Sequence, residues 1–407
     1  MQSPTVESIL GKQAIADIAK PVESARGLPA AAYTSQAFFD LEQQRLFPRT
    51  WVGVAFAEEI PQPGDAMPVV VAGVPLILLR DGAGTVRAFH NVCRHRATII
   101  LDKPATKLRS LQCPYHAWTY GLDGALKATP FWDGTPDSSR TAPDTASNGL
   151  VPVRCGVWNH VIFVNLDGKA PPLADYVRPV DRFLADLDLD GLRLAHRHGW
   201  EFKANWKLVN DNWENYHHVW VHEGVFDKMS EEVDLGTGES YTEMSPEGSV
   251  LVLRRKDSAP SRQASAPLAA HAMPPIATRP GAAPFRGCTG AVLPNTTVTI
   301  GISSYAPAIY TPIAPGLTRV SMAWYFVGDA ATDRAHAAGR EKVLDRWLGE
   351  SRDLAGRTGI RSQDHWCMEL QQAARGSPVA DQVQFSPTWE RNVHYFEKWV
   401  VDRLAEA

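Results

Sequence analysis

Four residues have types and spacing suited to metal chemistry. Cys93 and His95 are separated by Arg94, and after seventeen intervening residues come Cys113-Pro114-Tyr115-His116. Two short pairs on separate loops can reach one metal environment, and two chemistries fit the donors. One is a structural zinc held by two thiolates and two imidazoles; the other is a [2Fe-2S] cluster with two Cys on one iron and two His on the other. Zinc pairs commonly run Cys with Cys and then His with His. Here each loop supplies one of each, which suits the cluster. Cys155, Cys288 and Cys367 have no such partners and read as small buried hydrophobes.

A second constellation lies at 205–222. Three of the thirteen His in the chain, His217, His218 and His222, fall within six residues, with Glu214 just before them. Two imidazoles and one carboxylate form the triad of a mononuclear non-heme iron, which leaves positions open for dioxygen. On an ideal helix residues four apart lie about 40° apart and residues five apart about 140°. Helical geometry alone therefore favours His218 with His222.

Residues 1–50 read as a mixed lead-in, with a helical stretch at 35–46 on which Phe38, Phe39, Leu41 and Leu46 recur. From Trp51 to about Leu166 short β-prone runs are cut by turn signals such as Asp81-Gly82 and Asp123-Gly124, which predicts a compact antiparallel domain carrying the first constellation. Asp167 to Pro172 is the best boundary. The second domain, 167–407, mixes helices with strands at 249–254, 296–303 and 319–327 and closes on an amphipathic helix at 390–405. An Ala/Pro/Ser-rich stretch at 257–285 predicts a flexible loop or a lid. The fold class is α+β.

The chain has 407 residues, 44% hydrophobic and 21% charged, and its 41 Lys+Arg against 45 Asp+Glu leave a net charge of −4. That excludes a disordered chain, and no basic block suits nucleic acid or an acidic membrane. The longest apolar run, Met67 to Leu79, is interrupted by Pro68, Gly73 and Pro75 and is too short to span a bilayer. No secretory signal is visible at the N-terminus, so a cytoplasmic protein is expected.

FHNVCRHRATII followed by LQCPYHAWTYGLDGAL resembles the Rieske domain of Rieske non-heme iron oxygenases. The resemblance implies an antiparallel β Rieske [2Fe-2S] domain at 51–166 and a helix-and-antiparallel-sheet catalytic domain at 167–407, with 1–50 packing on the latter. It puts Cys93 and Cys113 on one iron and His95 and His116 on the other. Neutral imidazoles raise the potential above that of an all-Cys cluster. Glu214-Asn-Tyr-His217, four residues, then His222 resembles the family's iron-binding phrase, which favours His217 with His222 and leaves His218 in reserve. To use that pair the helix must end, or carry a π-bulge, just after His217. From Asn205-Trp206-Lys207 to the first His this chain runs one residue shorter than many relatives. SQDHWCMELQQAARG resembles the phrase carrying the third ligand, implying Asp364, with Glu369 in reserve. Glu214 would bridge a Rieske His of a neighbouring subunit to His217, orienting the ring and shortening the electron's path.

The implied chemistry is activation of dioxygen at Fe(II), with electrons from NAD(P)H arriving through a flavin or ferredoxin reductase, in a homotrimer. The outcome would be hydroxylation, dihydroxylation or oxidative demethylation. Leu28-Pro-Ala-Ala-Ala-Tyr33 and Leu41 to Trp51 resemble the branch containing choline, glycine betaine, carnitine and proline betaine oxygenases. Trp213, Tyr305, Tyr310 and Trp324 are candidates to cage a quaternary ammonium. The alternatives are an arene or arene-carboxylate dioxygenase and, from another class, a zinc-stabilised binding protein, which leaves Glu214, His217, His222 and Asp364 unexplained.

Overall fold

The computed structural model describes residues 4–134, 143–212, 218, 221, 242–255, 273–282, 287–348, 359–381 and 383–406. The chain divides into two compact units, one of Phe47–Asp175 and one of Met1–Leu46 with Tyr176–Ala407. Among the described residues no helix is long and apolar enough to cross a membrane.

The unit Phe47–Asp175 holds strands β1 (Val52–Phe56), β2 (Ala66–Val71), β3 (Val74–Arg80), β4 (Val86–His90), β5 (Leu111–Gln112), β6 (Thr119–Tyr120), β7 (Leu126–Ala128), β8 (Pro152–Trp158) and β9 (Val161–Asn165). They form a six-stranded sheet in the order β1-β9-β8-β4-β3-β2 and a three-stranded sheet β5-β6-β7, antiparallel throughout. β9 is flanked on both sides and buried along its length, as its unbroken Val-Ile-Phe-Val run demands. Ile77, Leu79 and Phe89 of the larger sheet share a core with Leu111, Tyr120 and Leu126 of the smaller, and Cys93, Cys113 and Trp118 belong to it. The Asp123-Gly124 turn has to be glycine: φ is +84°, and a Cβ there would collide with the Phe89 ring.

Asp167–Pro172, expected as the linker, is instead tied into this unit. The Asp167 N–H donates to the Pro48 carbonyl (3.0 Å), the Ala170 N–H to Asn165 Oδ1 (3.2 Å) and the Trp51 indole to the Pro171 carbonyl (2.8 Å). The division falls further on, inside a helix.

The other unit has helices α1 (Val6–Leu10), α2 (Lys12–Ile18), α3 (Ala31–Thr34), α4 (Gln36–Leu41), α5 (Leu173–Leu184, which crosses the division), α6 (Lys207–Asp211), α7 (Ala337–Leu348), α8 (Gly359–Ala374) and α9 (Arg391–Ala405). Its strands are β10 (Leu192–Phe202), β11 (Thr242–Glu247), β12 (Val250–Arg255), β13 (Cys288–Val292), β14 (Thr296–Ile300), β15 (Tyr305–Ala314) and β16 (Leu317–Val327). They make one antiparallel seven-stranded sheet, β10-β16-β15-β14-β13-β12-β11. Of the 257–285 stretch, residues 273–282 lie outside helix and strand, bridging Leu187 at Thr278 and held by backbone bonds from Asp188 to Ala277 (2.9 Å), Arg279 to Asp186 (2.8 Å) and Ile276 to Ile302 (2.8 Å) before a turn closed from Ala282 to Arg279 (3.1 Å).

The expected helix at 35–46 is present with a change of winding. α4 is capped by the Ser35 hydroxyl and gives way to a π-helical turn at Glu42–Leu46. In this turn Glu42 lies inside the core, where its carboxylate accepts from Lys207 Nζ (2.6 Å) and the Trp206 indole (3.1 Å). Asn205 completes the join, donating to the carbonyls of Tyr33 (3.2 Å) and Pro315 (2.7 Å).

Candidate redox and metal centres

The loops bearing the first constellation are built alike. In each, the Cys N–H donates to the carbonyl five residues on (Cys93 to Thr98 and Cys113 to Trp118, both 2.8 Å). In each, the N–H four residues on returns to the Cys carbonyl, from Ala97 (3.0 Å) and Ala117 (3.1 Å). Ala97 and Ala117 both take a left-handed φ of +57°, a strained choice for alanine that the closed loops impose. Asn91 anchors the first loop from the core: its Oδ1 accepts from Ile100 and Leu101 N–H (both 3.0 Å) and its Nδ2 donates to the Leu101 carbonyl (2.6 Å). Asn91→Ala leaves these backbone groups without their partner and should cost about 2–4 kcal/mol in denaturant unfolding of this unit.

Among the described residues no three His, Cys, Asp or Glu side chains gather around one point. The four converge as pairs. Cys93 and Cys113 are both buried, and Cys93 adds to the burial that pushes the Cys113 thiol up, while the rings of His95 and His116 meet edge to face at 4.6 Å. Burial, then His116 and Arg96, lowers the pKa of His95, favouring the neutral form that binds metal, and its buried Nδ1 has no hydrogen-bond partner among the described residues. Trp118 stacks on that ring at 4.9 Å and Trp132 meets it edge-on at 5.7 Å, fixing its orientation. One zinc would need all four donors around one ion, whereas a two-iron cluster needs a thiol pair and an imidazole pair. The residues fit the cluster.

Tyr120 was missed by sequence reasoning as a functional residue. Its oxygen accepts from the Arg94 N–H (3.0 Å) and lies 3.3 Å from Cys93 Sγ; with Cys93 bound to iron as a thiolate, the phenol would hold the one proton for that contact and donate it. A donor aimed at a ligating sulfur stabilises added negative charge and raises the potential. Tyr120→Phe should lower the midpoint potential by about 60 mV, equivalent to about 1.4 kcal/mol for one electron, measurable by redox titration.

In the other unit the site elements lie on one face of the seven-stranded sheet. His198 and Trp200 of β10 pair with Met322 and Val320 of β16, which pair with Ala308 and Tyr310 of β15. Asp364, the sixth residue of α8, lies near Tyr310, whose phenol is pushed up to about 12 by burial, with Asp364 adding and a hydrogen bond to Thr297 opposing. Its neighbour His365 seats the helix: Trp200 Nε1–H donates to His365 Nδ1 (3.1 Å), and the ring stacks on Phe202 at 4.5 Å. An indole nitrogen only donates, so Nδ1 of His365 is the acceptor in this bond.

His218 Nε2 lies 3.6 Å from Asp364 Oδ1. Trp213, Glu214, His217 and His222 lie outside the described residues, and α6 ends at Asp211 before them. Glu369 accepts from the Lys203 N–H (2.8 Å) and, five residues beyond Asp364, sits about 140° round the helix. Of the aromatic candidates, Tyr310 and Trp324 share the site face, and the buried Trp324 Nε1 has no hydrogen-bond acceptor among the described residues. Tyr305 pairs with Tyr325 at the odd register positions and faces the opposite side of the sheet.

Residues 50–138 match the Rieske [2Fe-2S] domain and residues 189–406 the catalytic domain of the ring-hydroxylating alpha subunit. The chain belongs to the ring-hydroxylating alpha subunit family, whose members carry a Rieske cluster and a mononuclear iron. It is similar to the glycine betaine monooxygenase oxygenase subunit of Chromohalobacter salexigens, with 33% identity over 221 residues, 54% of this chain and 48% of that protein. The carnitine monooxygenase oxygenase subunit of Acinetobacter pittii is 32% identical over 204 residues, 49% and 54% of the two chains. The matched regions thus span about half the length of these relatives. Among solved structures, the apo quaternary ammonium Rieske monooxygenase CntA superposes with a TM-score of 0.71 at 21% identity, over 96% of this chain and 98% of that one. Naphthalene 1,2-dioxygenase from a Rhodococcus species gives 0.75 at 20% identity, over 99% of each. At such identities the likeness concerns the fold.

Proposed function

We propose that this chain is the oxygenase component of a multicomponent Rieske oxygenase that hydroxylates or oxidatively demethylates a small quaternary ammonium compound in the cytoplasm. The observation that carries the reading is the pairing of Cys93 with Cys113 and of His95 with His116 on two matched loops. The relatives named for glycine betaine and carnitine support the substrate class. When bound, the cluster supplies single electrons and the mononuclear Fe(II) supplies a site for dioxygen. Cys93 and Cys113 would hold one cluster iron and His95 and His116 the other. His217, His222 and Asp364 would hold the mononuclear iron, with Trp118 and Trp132 keeping the His95 ring in place and Trp200 keeping α8 seated through His365. Tyr310 and Trp324 would line the substrate side, together with Trp213. Glu214 would link a neighbouring subunit's cluster to His217 in a homotrimer, with electrons drawn from an NAD(P)H-dependent reductase.

The contact of His218 with Asp364 favours a second ligand set, His218, His222 and Asp364. His217→Ala and His218→Ala separate the two: the variant that loses the mononuclear iron identifies the ligand. The first test is iron, acid-labile sulfide and zinc per chain on anaerobically purified protein. About three irons and two sulfides are expected, and one zinc without sulfide overturns the proposal. With a reductase and NADH, formaldehyde release from trimethylammonium compounds checks the substrate class.

A further inference from the structure

Beneath the segment that leads to the iron-site candidates lies a buried group of charges that the proposed chemistry does not use. The Tyr33 hydroxyl, on α3, contacts two carboxyls: Asp211 Oδ2 at 2.7 Å, at the end of α6, and Glu397 Oε1 at 3.0 Å, on α9. Tyr33 and Glu397 are 0% and 2% exposed. A phenol has one proton and can donate to one of them only. The other short contact needs a proton of its own, or two oxygens face each other with nothing between.

The remaining partners fix where that proton sits. Glu397 has a second donor, the Leu28 N–H at 2.6 Å on Oε2. Among the described residues Asp211 Oδ1, which is buried, has no hydrogen-bond partner. An ionised carboxylate with a bare buried oxygen is costly, whereas a neutral carboxyl donating from its other oxygen is far less so. The charges agree. Facing this group are Lys207, already paired with Glu42 at 2.6 Å, and Arg375, whose guanidinium lies 4.1 Å from the centre of the Tyr33 ring. Glu42, Asp211 and Glu397 make three carboxyls against these two cations, so one extra proton makes the group neutral.

We propose that Asp211 carries a proton at neutral pH and donates it to the Tyr33 oxygen, while the Tyr33 hydroxyl donates to an ionised Glu397. The relay runs one way, from α6 through α3 to α9, and makes Tyr33 and Glu397 positioning residues for the last turn of α6, from which the chain passes to 213–222. Burial, then the adjacent Glu397, holds Asp211 well above the ordinary carboxylate range, against opposing pulls from Tyr33, Arg375 and Lys207.

Infrared difference spectroscopy at neutral pH between the wild-type protein and Asp211→Asn tests the relay directly. A protonated-carboxyl stretching band should be present in the first and missing from the second; its absence from the wild type, or its survival in the variant, overturns the proposal. The linkage has a definite sign: the folded chain holds one proton more than the unfolded one between the unfolded and folded pKa of Asp211. Its folding equilibrium constant should therefore fall by up to about tenfold for each pH unit of rise through that window. Asp211→Asn should remove that part of the slope, and an unchanged slope also overturns the proposal. Should Asp211→Asn fail to fold, Tyr33→Phe removes the acceptor and must shift the band; a band that stays in place rules the relay out.

Discussion

Asp364→Ala protein should emerge from anaerobic purification with its cluster intact and its mononuclear iron gone, affinity for that iron having fallen by more than about 100-fold. Losing a partner behind a metal ligand already costs 10–100-fold, and removing a direct anionic ligand costs more. The rest of α8 should stay seated. The Trp200 bond to His365 and the stack on Phe202 do not involve Asp364, and Gln372, two turns on, still accepts from the Asn205 N–H (2.9 Å). Iron analysis with the electron paramagnetic resonance of the reduced cluster reads both metals on one sample. Full retention of the mononuclear iron would remove Asp364 from the ligand set.

The second large effect concerns stability. Lys207→Met should destabilise the unit formed by the N-terminal and C-terminal parts of the chain by about 3–5 kcal/mol, because it leaves the Glu42 carboxylate buried without its counter-charge. Both side chains are shut off from water, at 0% and 1% exposure. Burial pushes Glu42 up and Lys207 down, and each partner acts to restore the other. Rings of Tyr33, Phe38 and Trp206 lie 5.2–5.3 Å from the ammonium, so the methionine side chain enters an apolar surround. Glu42→Gln combined with Lys207→Met should recover most of the loss, since a neutral amide needs no counter-ion. Urea denaturation of the singles and the double completes the cycle; a single variant as stable as wild type would show that the pair contributes nothing net.

Much of this was legible in the sequence because the information was local. Cys93, His95, Cys113 and His116 announce themselves by spacing, and the turn signals between short apolar runs mark out the β-rich unit. β9, β12, β14 and β16 are read from continuous or alternating hydrophobicity. β10 was hidden because an edge strand keeps polar residues along its length: Leu-Arg-Leu-Ala-His-Arg-His-Gly-Trp-Glu-Phe has no clean apolar face, and His196, His198 and Trp200 supply the side that meets the sheet interior. β15 was hidden by Pro307 and Pro312, which read as breakers. The turn of π-helix at Glu42 depends on Lys207, 165 residues away, and no local pattern encodes such a partner. The same holds for Tyr120, whose role follows from a sulfur 27 residues back in the chain. Asp364 was found by resemblance, which left Glu369 in reserve; only the observed helix and the Lys203 N–H bond to Glu369 set the two apart.

The unit that contains Asp364 is assembled from both ends of the chain, with Phe47–Asp175 inserted between them. During synthesis the inserted unit has every one of its strands available once Asp175 has emerged, so it can fold first. The surrounding unit must wait. Glu42 remains without Lys207 for the whole of that interval, and Tyr33 lacks Glu397 until the final helix leaves the ribosome. A truncation that removes the last helix therefore strands a set of buried-type charges near the start of the chain. The resulting fragments should be prone to aggregation and proteolysis, while their β-rich middle remains protected.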